Sequence, residues 1–427
     1  MATSIQKDSK IYIAGHRGLV GSAVLKKLKE KGFNNLVYKT HKELDLTQQE
    51  AVQEFFKKEK PEVVILSAAK AGGVVANNTY RADFIYENLQ IECNVIHNAY
   101  LNGVKKLLFI ASTTIYPKNA SLPTRENQML SGDLEYTNKP YAIAKIAGLI
   151  LCESYNLQYH TNFIAIAPTN LYGNNDKFDL EKAHVMPALL RKIHLAKLLS
   201  EDQDEEVLKD LNHHTKEAFT NFNQAKEYLK SFGISKNSVE IWGDGTPTRE
   251  FLHSEDLSEA VLFILQNIDF KHLYEKNEKE IQNTHLNLGT NENISIKELA
   301  YLLKKLIGFK GELVFNAKRP NGALSKLSDC SKINQLGWQA KITLEQGVKM
   351  MYENYLNNMG GGDLNKLDFT LSLYQNLFQL KFLTYLQTDG SQSSLKTNLK
   401  FSNHKRVCNT NLSCNFDNAK FCRAKAA

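Results

Sequence analysis

The stretch KIYIAGHRGLVGSAVLKKLKEKG, residues 10–32, decides the fold of this chain. Residues 10–15 form a continuous apolar run that is typical of a buried strand. Residues 20–32 repeat apolar side chains at helical spacing and end on a glycine, which predicts an amphipathic helix. A strand that leads directly into a helix through a short glycine-containing loop is the first unit of an alternating α/β chain.

The loop between this strand and helix carries three glycines in the pattern G-x-x-G-x-x-G. Glycines at this place allow a tight turn, a close approach of the backbone to a pyrophosphate, and close packing of helix on strand. The start of the helix also offers free N–H groups to an anion. We therefore predict a dinucleotide site. The predicted cofactor-binding residues of the loop are Gly15, Arg17, Gly18, Leu19, Val20 and Gly21.

The charge at the end of the second predicted strand favours NADP(H) over NAD. An NAD site would place Asp or Glu about 20 residues after the glycine loop to hold the ribose diol. This chain has Lys39 and His41 there, and Asp45 comes later. Together with Arg17, these side chains would surround a 2′-phosphate with positive charge. The alternative is that Lys39 and His41 are only a solvated strand end.

Further apolar strands alternate with helices along the first half of the chain. They include EVVILSAA at 62–69, KKLLFIAS at 105–112 and FIAIAPTNLYG at 163–173. This alternation predicts an α/β fold with a doubly wound parallel (Rossmann) sheet, covered by helices on both faces. The pattern becomes irregular after about residue 175, as expected of a smaller C-terminal α/β substrate domain.

These patterns predict three parts. Residues 1–175 form the NADP-binding domain, to which later segments return, and residues 176–358 form the substrate domain. A charged, helix-prone insertion at 199–238 reads as a surface excursion of that domain. Residues 359–427 form a tail with an unusual Asn-, Ser- and Lys-rich composition, and we expect its last part, 388–427, to be poorly ordered. A small added element and a partner-binding segment are the alternatives for the tail.

Overall composition excludes several classes of protein. The net charge is +7, but nine Lys/Arg and four Asp/Glu lie from Gly360 onward, so the rest is nearly neutral and gives no reason to expect nucleic acid as a partner. No apolar signal core and no stretch of about 18 apolar residues is visible, which predicts a cytoplasmic protein without a membrane span. The six cysteines are scattered without metal spacing, so we expect reduced thiols and no metal.

A tyrosine and a lysine stand four residues apart in PYAIAK, residues 140–145. Residues at this spacing share a helix face, so Tyr141 and Lys145 can act together. A neighbouring ammonium favours the phenolate, which would lower the pKa of the tyrosine and make it a usable proton donor or acceptor. The spacing alone also occurs by chance on many helices.

The chain resembles the extended short-chain dehydrogenase/reductase family. The resemblance is carried by the glycine loop, by Ser112 at the end of a strand in ASTTIYP, and by Tyr141-x-x-x-Lys145. Further stretches, among them AAKAGGVVANNTYRADFIYEN, HVMPALLRK and IWGDGTPTREFLHSEDL, resemble the GDP-L-fucose synthase subgroup of that family. The likeness covers roughly residues 9–358, apart from the insertion.

The resemblance implies a set of roles for the catalytic residues. Tyr141 would protonate a substrate 4-keto oxygen as hydride arrives from the nicotinamide. Lys145 would lower the phenol pKa and bind the nicotinamide ribose, and Ser112 would orient the carbonyl; the alternative for Ser112 is a strand cap. Residues implied beside the nicotinamide are Pro168, Asn170 and Leu171.

The substrate implied by the resemblance is a GDP-linked 4-keto-6-deoxy sugar. Residues implied to hold its GDP part are Lys192, Trp242, Arg249 and Lys326. Lys192 stands where the family usually has an arginine, so a bidentate grip on phosphate would be lost there. A core role for Trp242, and surface pairing of Arg249 with Glu250 or Asp256, are the alternatives.

The sequence departs from the family at one catalytic position. The family inverts C3 and C5 of the sugar with a cysteine and a histidine; the histidine matches His184, but Thr114 stands at the cysteine position. A hydroxyl is a far weaker acid than a thiol. We therefore expect a 4-keto reductase whose epimerase activity is slow or lost, with the full epimerase/reductase as the alternative.

Two other classes stay open from the sequence. One is a non-catalytic protein that senses NADPH or scaffolds a pathway. The discriminator is Tyr141→Phe, which should abolish sugar reduction while leaving NADPH binding, and reduction that survives unchanged would contradict the catalytic assignment. The other is a UDP-sugar epimerase of the same extended family, which the GDP-type substrate stretches disfavour. The family also implies a homodimer, formed by two long helices from each subunit.

Overall fold

The computed structural model describes residues 5–215, 217–275, 277, 279–319 and 325–358. The tail predicted for residues 359–427 lies outside the described residues. The strands are β1 Ile11–Ala14, β2 Leu36–Val37, β3 Val63–Leu66, β4 Lys106–Ile110, β5 Phe163–Pro168, β6 Asn170–Tyr172, β7 Ser238–Trp242, β8 Thr248–His253, β9 Leu286–Leu288, β10 Asn293–Ser295 and β11 Glu312–Asn316. The helices are α1 Leu19–Glu30, α2 Gln49–Glu59, α3 Val74–Thr79, α4 Arg81–Leu101, α5 Lys139–Tyr159, α6 Val185–Ser200, α7 Asp204–His214, α8 Phe222–Ser231, α9 Ser254–Asn267, α10 Ile296–Ile307, α11 Ser331–Gln335 and α12 Leu344–Asn358.

The main sheet has six parallel strands in the order β2-β1-β3-β4-β5-β9. Every residue of β1, β3, β4 and β5 is buried, as continuous apolar strands covered on both faces require. One hydrophobic cluster lies on each face: α1 and α9 contribute to one, and α2, α4 and α5 to the other. The predicted doubly wound α/β fold is confirmed.

The strand order reverses beside β1, because the chain adds β2 on one side and then crosses to β3 on the other. Loops at the carboxyl ends of strands on either side of such a reversal diverge and leave a crevice, which is where ligands bind in open α/β sheets. The glycine loop after β1 and the segment after β4 both open at this edge. The fold therefore brings the predicted cofactor loop and the predicted catalytic segment to one side of the sheet.

The predicted single strand at 163–173 is two strands. Residues Phe163–Pro168 pair with β4 and β9 in the main sheet, whereas Asn170–Tyr172 pair with β8 in a separate three-stranded sheet of order β10-β8-β6. Pro168 has no N–H to donate to a ladder, and the Thr169 N–H that follows still bonds to the Leu288 carbonyl of β9 at 2.9 Å before the chain leaves the main sheet. The break carries the chain from the main sheet into the smaller part that follows.

The insertion at 199–238 is not a surface excursion. It forms α7 and α8, whose apolar faces enter the hydrophobic cluster of the smaller part together with α6, α10 and α12. Val207, Leu211, Ala225 and Leu229 are fully buried. The charged residues that suggested exposure occupy the opposite helix faces, as amphipathic helices require. The predicted boundary near residue 175 stays a prediction.

Candidate active site

The glycine loop has the geometry that a pyrophosphate needs. Gly15 has φ +87°, a left-handed conformation that favours glycine, and a Cβ there would lie 2.7 Å from the Ala68 nitrogen. A Cβ on Gly21 would lie 2.2 Å from the Gly15 carbonyl oxygen. Helix α1 starts after Gly18 without a side-chain cap, so the N–H groups of Leu19 and Val20 point outward for an anion.

The predicted 2′-phosphate side chains lie just beyond the end of β2. Lys39 is half-exposed, with Nζ 3.8 Å from a Glu43 carboxylate, and His41 is exposed, with Nδ1 3.7 Å from Asp45. Arg17 is exposed in the loop after β1. Sequence reasoning missed His16, whose ring lies 4.7 Å from that of Tyr38. These residues make a basic, aromatic rim that fits a phosphorylated adenosine end.

Tyr141 and Lys145 share one face of α5, which begins at Lys139 with Pro140 in its first turn. The Lys145 ammonium lies 5.7 Å from the centre of the Tyr141 ring. Burial raises the pKa of Tyr141 above its usual value, while Lys145 acts to lower this pKa. The sequence-based expectation of a net lowered phenol pKa is therefore not met in the protein alone, and the phenol is protonated at neutral pH.

Ser112 and Thr114 lie on the segment that follows β4. Ser112 precedes a 3-10 turn at Thr113–Ile115, and its hydroxyl accepts a hydrogen bond from the Thr114 N–H at 3.3 Å. Helix α5 packs against this turn. The Thr114 hydroxyl is buried and has no hydrogen-bond partner among the described residues. A buried polar atom of this kind is expected to bond to a ligand or to water.

Thr114 opens into a cavity that also takes in a predicted substrate residue, Lys326. Its other charged or polar wall residues include Glu135, Asn138 and Ser325. Glu135, which sequence reasoning missed, accepts hydrogen bonds from Thr137 and from the Asn138 N–H. The cavity is therefore polar and joins the segment after β4 to the segment before α11.

Lys326 lines this cavity, and Arg249 lies close enough to act on its charge. Burial lowers the pKa of Lys326 to about 8, with a further lowering by Arg249 and an opposing effect of Glu135. Burial also lowers the pKa of Arg249, whose guanidinium donates to the Thr248 carbonyl at 2.7 Å. The Glu250 carboxylate, which with Asp256 is an alternative partner of Arg249, is buried and accepts hydrogen bonds from backbone N–H groups. Two neighbouring cations suit an anionic ligand such as a diphosphate.

Lys192 and Trp242 lie in a second group of residues around β7. The Lys192 ammonium donates to the carbonyls of Phe232 at 2.9 Å and Glu240 at 3.3 Å, and burial lowers its pKa to about 8. Trp242 is half-exposed, so the core alternative is wrong, and the Arg319 guanidinium lies 5.0 Å above its ring. Sequence reasoning missed Arg319. The bonds of Lys192 fasten the end of the insertion to β7 and leave little of it for a phosphate.

The three residues implied beside the nicotinamide lie on either side of the break between β5 and β6. Pro168 ends β5, and Asn170 donates its side-chain N–H to the Glu250 carbonyl at 2.9 Å. Leu171 packs partly against the core of the main sheet. The Asn170 side chain is thus engaged in holding β6 to β8, and the backbone at this break faces the edge where the cofactor loop opens.

His184 lies at the N-cap position of α6, outside the residues that line the Thr114 cavity. It is accessible to solvent, and the surrounding protein and Lys177 lower its pKa. The preceding backbone at Lys182–Ala183 lies against Gly73, where a Cβ would be 3.3 Å from either carbonyl oxygen. The structure thus brings Thr114 and Lys326 to one cavity but does not bring His184 into it.

The described part of the chain contains neither a cluster of metal ligands nor a membrane-spanning helix. No group of three or more His, Cys, Asp or Glu side chains there is arranged to hold a metal ion. No helix within it combines the length and the apolar character that crossing a membrane requires.

A doubly wound sheet with a glycine phosphate loop, and a Tyr-Lys helix beside a serine-bearing turn, defines a dinucleotide-dependent enzyme of the short-chain dehydrogenase/reductase class. The family model described as "NAD dependent epimerase/dehydratase family" matches residues 11–277. The chain belongs to this family, which is the extended branch of that class.

Individual relatives are similar to the chain over most of its length. Putative GDP-L-fucose synthase 2 of Arabidopsis thaliana is 47% identical over 83% of this chain and 94% of that protein. A solved structure named DdhaC is 67% identical, covers 84% of this chain and 100% of its own, and has a TM-score of 0.73. The structure of MlghC, a GDP-mannoheptose C4 reductase from Campylobacter jejuni with NADP bound, is 54% identical over 82% of this chain and 99% of its own, with a TM-score of 0.74.

Proposed function

We propose that the protein reduces the 4-keto group of a GDP-linked sugar with NADPH. The observation that carries this proposal is the pairing of Tyr141 and Lys145 on α5, which packs against the turn bearing Ser112 and Thr114. The names of the relatives add support, because they are a GDP-L-fucose synthase and an NADP-bound GDP-sugar C4 reductase. The glycine loop and the rim of Lys39, His41 and Arg17 suit the phosphates of NADP(H).

The chemistry assigned to the protein is the supply of one proton. NADPH, when bound, provides a hydride for C4 of the sugar. Tyr141 gives its phenolic proton to the carbonyl oxygen, so that the C=O group becomes an alcohol, and the phenolate regains a proton from solvent before the next turnover. Ser112 orients the carbonyl by a hydrogen bond. The pKa of Tyr141, raised by burial, keeps the donor loaded at neutral pH.

The GDP part is assigned to Lys326, which lines the Thr114 cavity, and to the neighbouring Arg249. Arg249 and Lys326 would contact the diphosphate, while Trp242 with Arg319 would lie farther along toward the nucleoside. Binding of a diphosphate would relieve the repulsion between Arg249 and Lys326. Lys192 is assigned an indirect role, because its ammonium already bonds to two backbone carbonyls.

We propose further that 3,5-epimerase activity is slow or lost. The Thr114 hydroxyl lies in the cavity where the relatives' cysteine is expected, and a hydroxyl is a poor proton acceptor without a strong activating base. Among the described residues it has no hydrogen-bond partner that could act as such a base. Its assigned role is to hydrogen-bond the sugar. The other residue implied for epimerisation, His184, is not among the residues that line this cavity, which also supports the proposal.

One experiment separates reduction from epimerisation. The protein is incubated in D2O with GDP-4-keto-6-deoxymannose, first without and then with NADPH, and the sugar is analysed by NMR and mass spectrometry. We expect NADPH-dependent reduction at C4 with little deuterium at C3 or C5. Rapid deuterium entry at both carbons would instead establish the full epimerase/reductase. Absence of reduction with this sugar and with a seven-carbon GDP-4-keto sugar would contradict the reductase.

We propose that the protein is a homodimer formed through α4 and α5. These two helices pack along each other and leave large apolar side chains exposed, among them Tyr86, Ile150, Leu157 and Tyr159. Exposed apolar surface along paired helices suits a four-helix contact between two copies. Sedimentation equilibrium should give twice the chain mass of 48.4 kDa, and a Tyr86→Glu, Leu157→Glu variant should sediment as a monomer.

We propose a cytoplasmic location. The three cysteines in the described residues, Cys93, Cys152 and Cys330, are free thiols, which suits a reducing compartment. Fractionation of cells that make the protein should recover it with cytoplasmic markers, and recovery in the membrane pellet would contradict this assignment.

A further inference from the structure

The buried face of α4 carries a carboxylate where an apolar side chain would be expected. Glu92 is only 1% exposed, and it lies between Asn88 and Val95 on the face that packs against α5. Fully buried glutamates are rare unless they are paired. The partner here is the ammonium of Lys145, 3.1 Å from Glu92 Oε1, in an ion pair that excludes solvent from both groups.

This carboxylate has one charged partner among the described residues, the Lys145 ammonium at 3.1 Å, and neither of its oxygens makes a hydrogen bond of good geometry there. The ammonium of Lys145 is shared: it also donates to the Ile110 carbonyl at 3.1 Å and lies 4.7 Å above the ring of Phe109. The Glu92 carboxylate and the Ile110 carbonyl together hold the Lys145 ammonium in place beside Tyr141. Because Lys145 is the one charged partner of Glu92 among the described residues, the position of Glu92 is tied to that of the catalytic lysine.

The neighbouring helix is shaped to admit the carboxylate. A Cβ on Gly148, one turn after Lys145, would lie 2.9 Å from Glu92 Oε2 and 2.5 Å from the Phe109 ring. A glycine inside a helix lowers stability by about 1 kcal/mol relative to alanine. The absence of a side chain at Gly148 therefore needs a compensating interaction. The space is filled by the carboxylate and the aromatic ring.

We propose that Glu92 is a positioning residue for the reaction: it fixes Lys145 and offsets the positive charge of Lys145 at Tyr141, the proton donor for ketone reduction. This inference rests on the proposed function for its catalytic meaning. It concerns a residue that does not touch the substrate and acts through Lys145.

The charges around Tyr141 agree in sign with this role. Lys145 acts to lower the pKa of Tyr141, and Glu92 acts to raise it. Burial raises the pKa of Glu92 itself to about 7, and Lys145 opposes this rise. The other titratable groups that face Glu92 are the thiols of Cys93 on α4 and Cys152 on α5, and burial together with Glu92 raises the pKa of both. Both thiols are therefore neutral at pH 7, and Glu92 supplies the negative charge above about that pH.

The test is the pKa of the Tyr141 phenol, read from phenolate absorbance. Subtracting the titration of Tyr141→Phe isolates this phenol from the other 17 of the 18 tyrosines. Glu92→Gln keeps the size and removes the charge, so the Tyr141 pKa should fall by about one unit. Glu92→Asn serves if Gln does not fold, since α4 already buries asparagines such as Asn88. Glu92→Asp keeps the charge and should stay near the wild-type value.

A matched control lies on the same helix. Glu87 is on α4 and pairs with Lys70, away from Lys145, so Glu87→Gln should leave the Tyr141 pKa unchanged. The pH profile of reduction gives a second measurement. The alkaline fall of kcat should come about one pH unit lower in Glu92→Gln. At neutral pH and below the two profiles should coincide, because the phenol is then protonated in both proteins.

Several outcomes would overturn the proposal. They are a Tyr141 pKa in Glu92→Gln or Glu92→Asn equal to wild type, an equal shift in Glu87→Gln, or an equal shift in Glu92→Asp. The titration uses neither substrate nor cofactor, so it separates this inference from the proposed function. A shifted phenol pKa in a protein that reduces no GDP-4-keto sugar would contradict the function and leave the role of Glu92 at Tyr141 intact.

Discussion

Replacing Gly21 with alanine tests the cofactor loop most sharply. The added methyl carbon would lie 2.2 Å from the Gly15 carbonyl oxygen, 2.6 Å from its carbon and 2.8 Å from the His16 Cα. Ordinary contacts between such atoms are about 3.5 Å or longer, so the atoms must separate by more than about 1 Å. All three are backbone atoms, which no side-chain rotation can relieve. The loop must therefore move away from α1.

Gly21→Ala should lower both the free energy of unfolding and the affinity for NADPH. Overpacking of this kind typically costs about 1–3 kcal/mol, which we expect as the loss in free energy of unfolding without NADPH. The moved loop also no longer aims its N–H groups at the pyrophosphate. Losing one hydrogen bond to a charged group costs about 1.5–3 kcal/mol, so the Kd for NADPH should rise by at least about tenfold.

The assays are denaturant unfolding of the cofactor-free protein and fluorescence titration with NADPH. Gly18→Ala in the same loop is the comparison, because its added Cβ would meet only the Gly15 oxygen, at 3.5 Å. That variant should unfold within about 0.5 kcal/mol of wild type, whatever its affinity for NADPH. Wild-type stability together with wild-type NADPH affinity in Gly21→Ala would refute this account of the loop.

Three further predictions concern the substrate side. Lys326 has its pKa lowered to about 8, so its cation is present below that pH and lost above it. The KM for the GDP-sugar should rise as the pH passes 8, and Lys326→Met should abolish this rise; an unchanged rise would exclude Lys326 as the titrating group. Thr114→Cys should increase deuterium entry at C3 or C5 of the sugar in D2O, measured by NMR. Label at only one of the two carbons would mean that His184 does not take part in the exchange. No gain at either carbon would rule out position 114 as a proton-transfer site. Glu250→Ala removes the acceptor of three buried N–H bonds and should lower the free energy of unfolding by about 3 kcal/mol or more, measured with denaturant; a loss below about 1 kcal/mol would show that water replaces the carboxylate.

The main sheet could be predicted because its strands are buried on both faces and therefore appear as continuous apolar runs. The break at Pro168 could not be read from such a pattern, since residues 163–173 read as one continuous strand and the division shows only in the pairing partners of β5 and β6. The insertion was misjudged for a related reason. Its charged faces dominate the composition, whereas its packing depends on the few buried residues of α7 and α8, such as Val207 and Leu229.

Some site residues could likewise be predicted from local sequence spacing, and others could not. Tyr141 and Lys145 lie one helical turn apart, so their shared face follows from local geometry. Arg319 and Glu135 reach the site through tertiary contacts, and no local pattern in the sequence marks them. Glu92 left one signal: it stands at helical spacing between Asn88 and Val95 on a face that is otherwise buried. Its partner, 53 positions along the chain, becomes apparent only when α4 packs on α5.

The central claim is that Tyr141 gives the proton to the ketone. The most direct measurement is single-turnover oxidation of bound NADPH by GDP-4-keto-6-deoxymannose in wild type and in Tyr141→Phe, with the Kd for NADPH measured for both. Removing a general acid typically costs about 10²–10⁴-fold in rate, so we expect a loss of that size at unchanged NADPH affinity. A Tyr141→Phe protein that oxidises NADPH within about threefold of wild type, well short of that loss, would contradict the account.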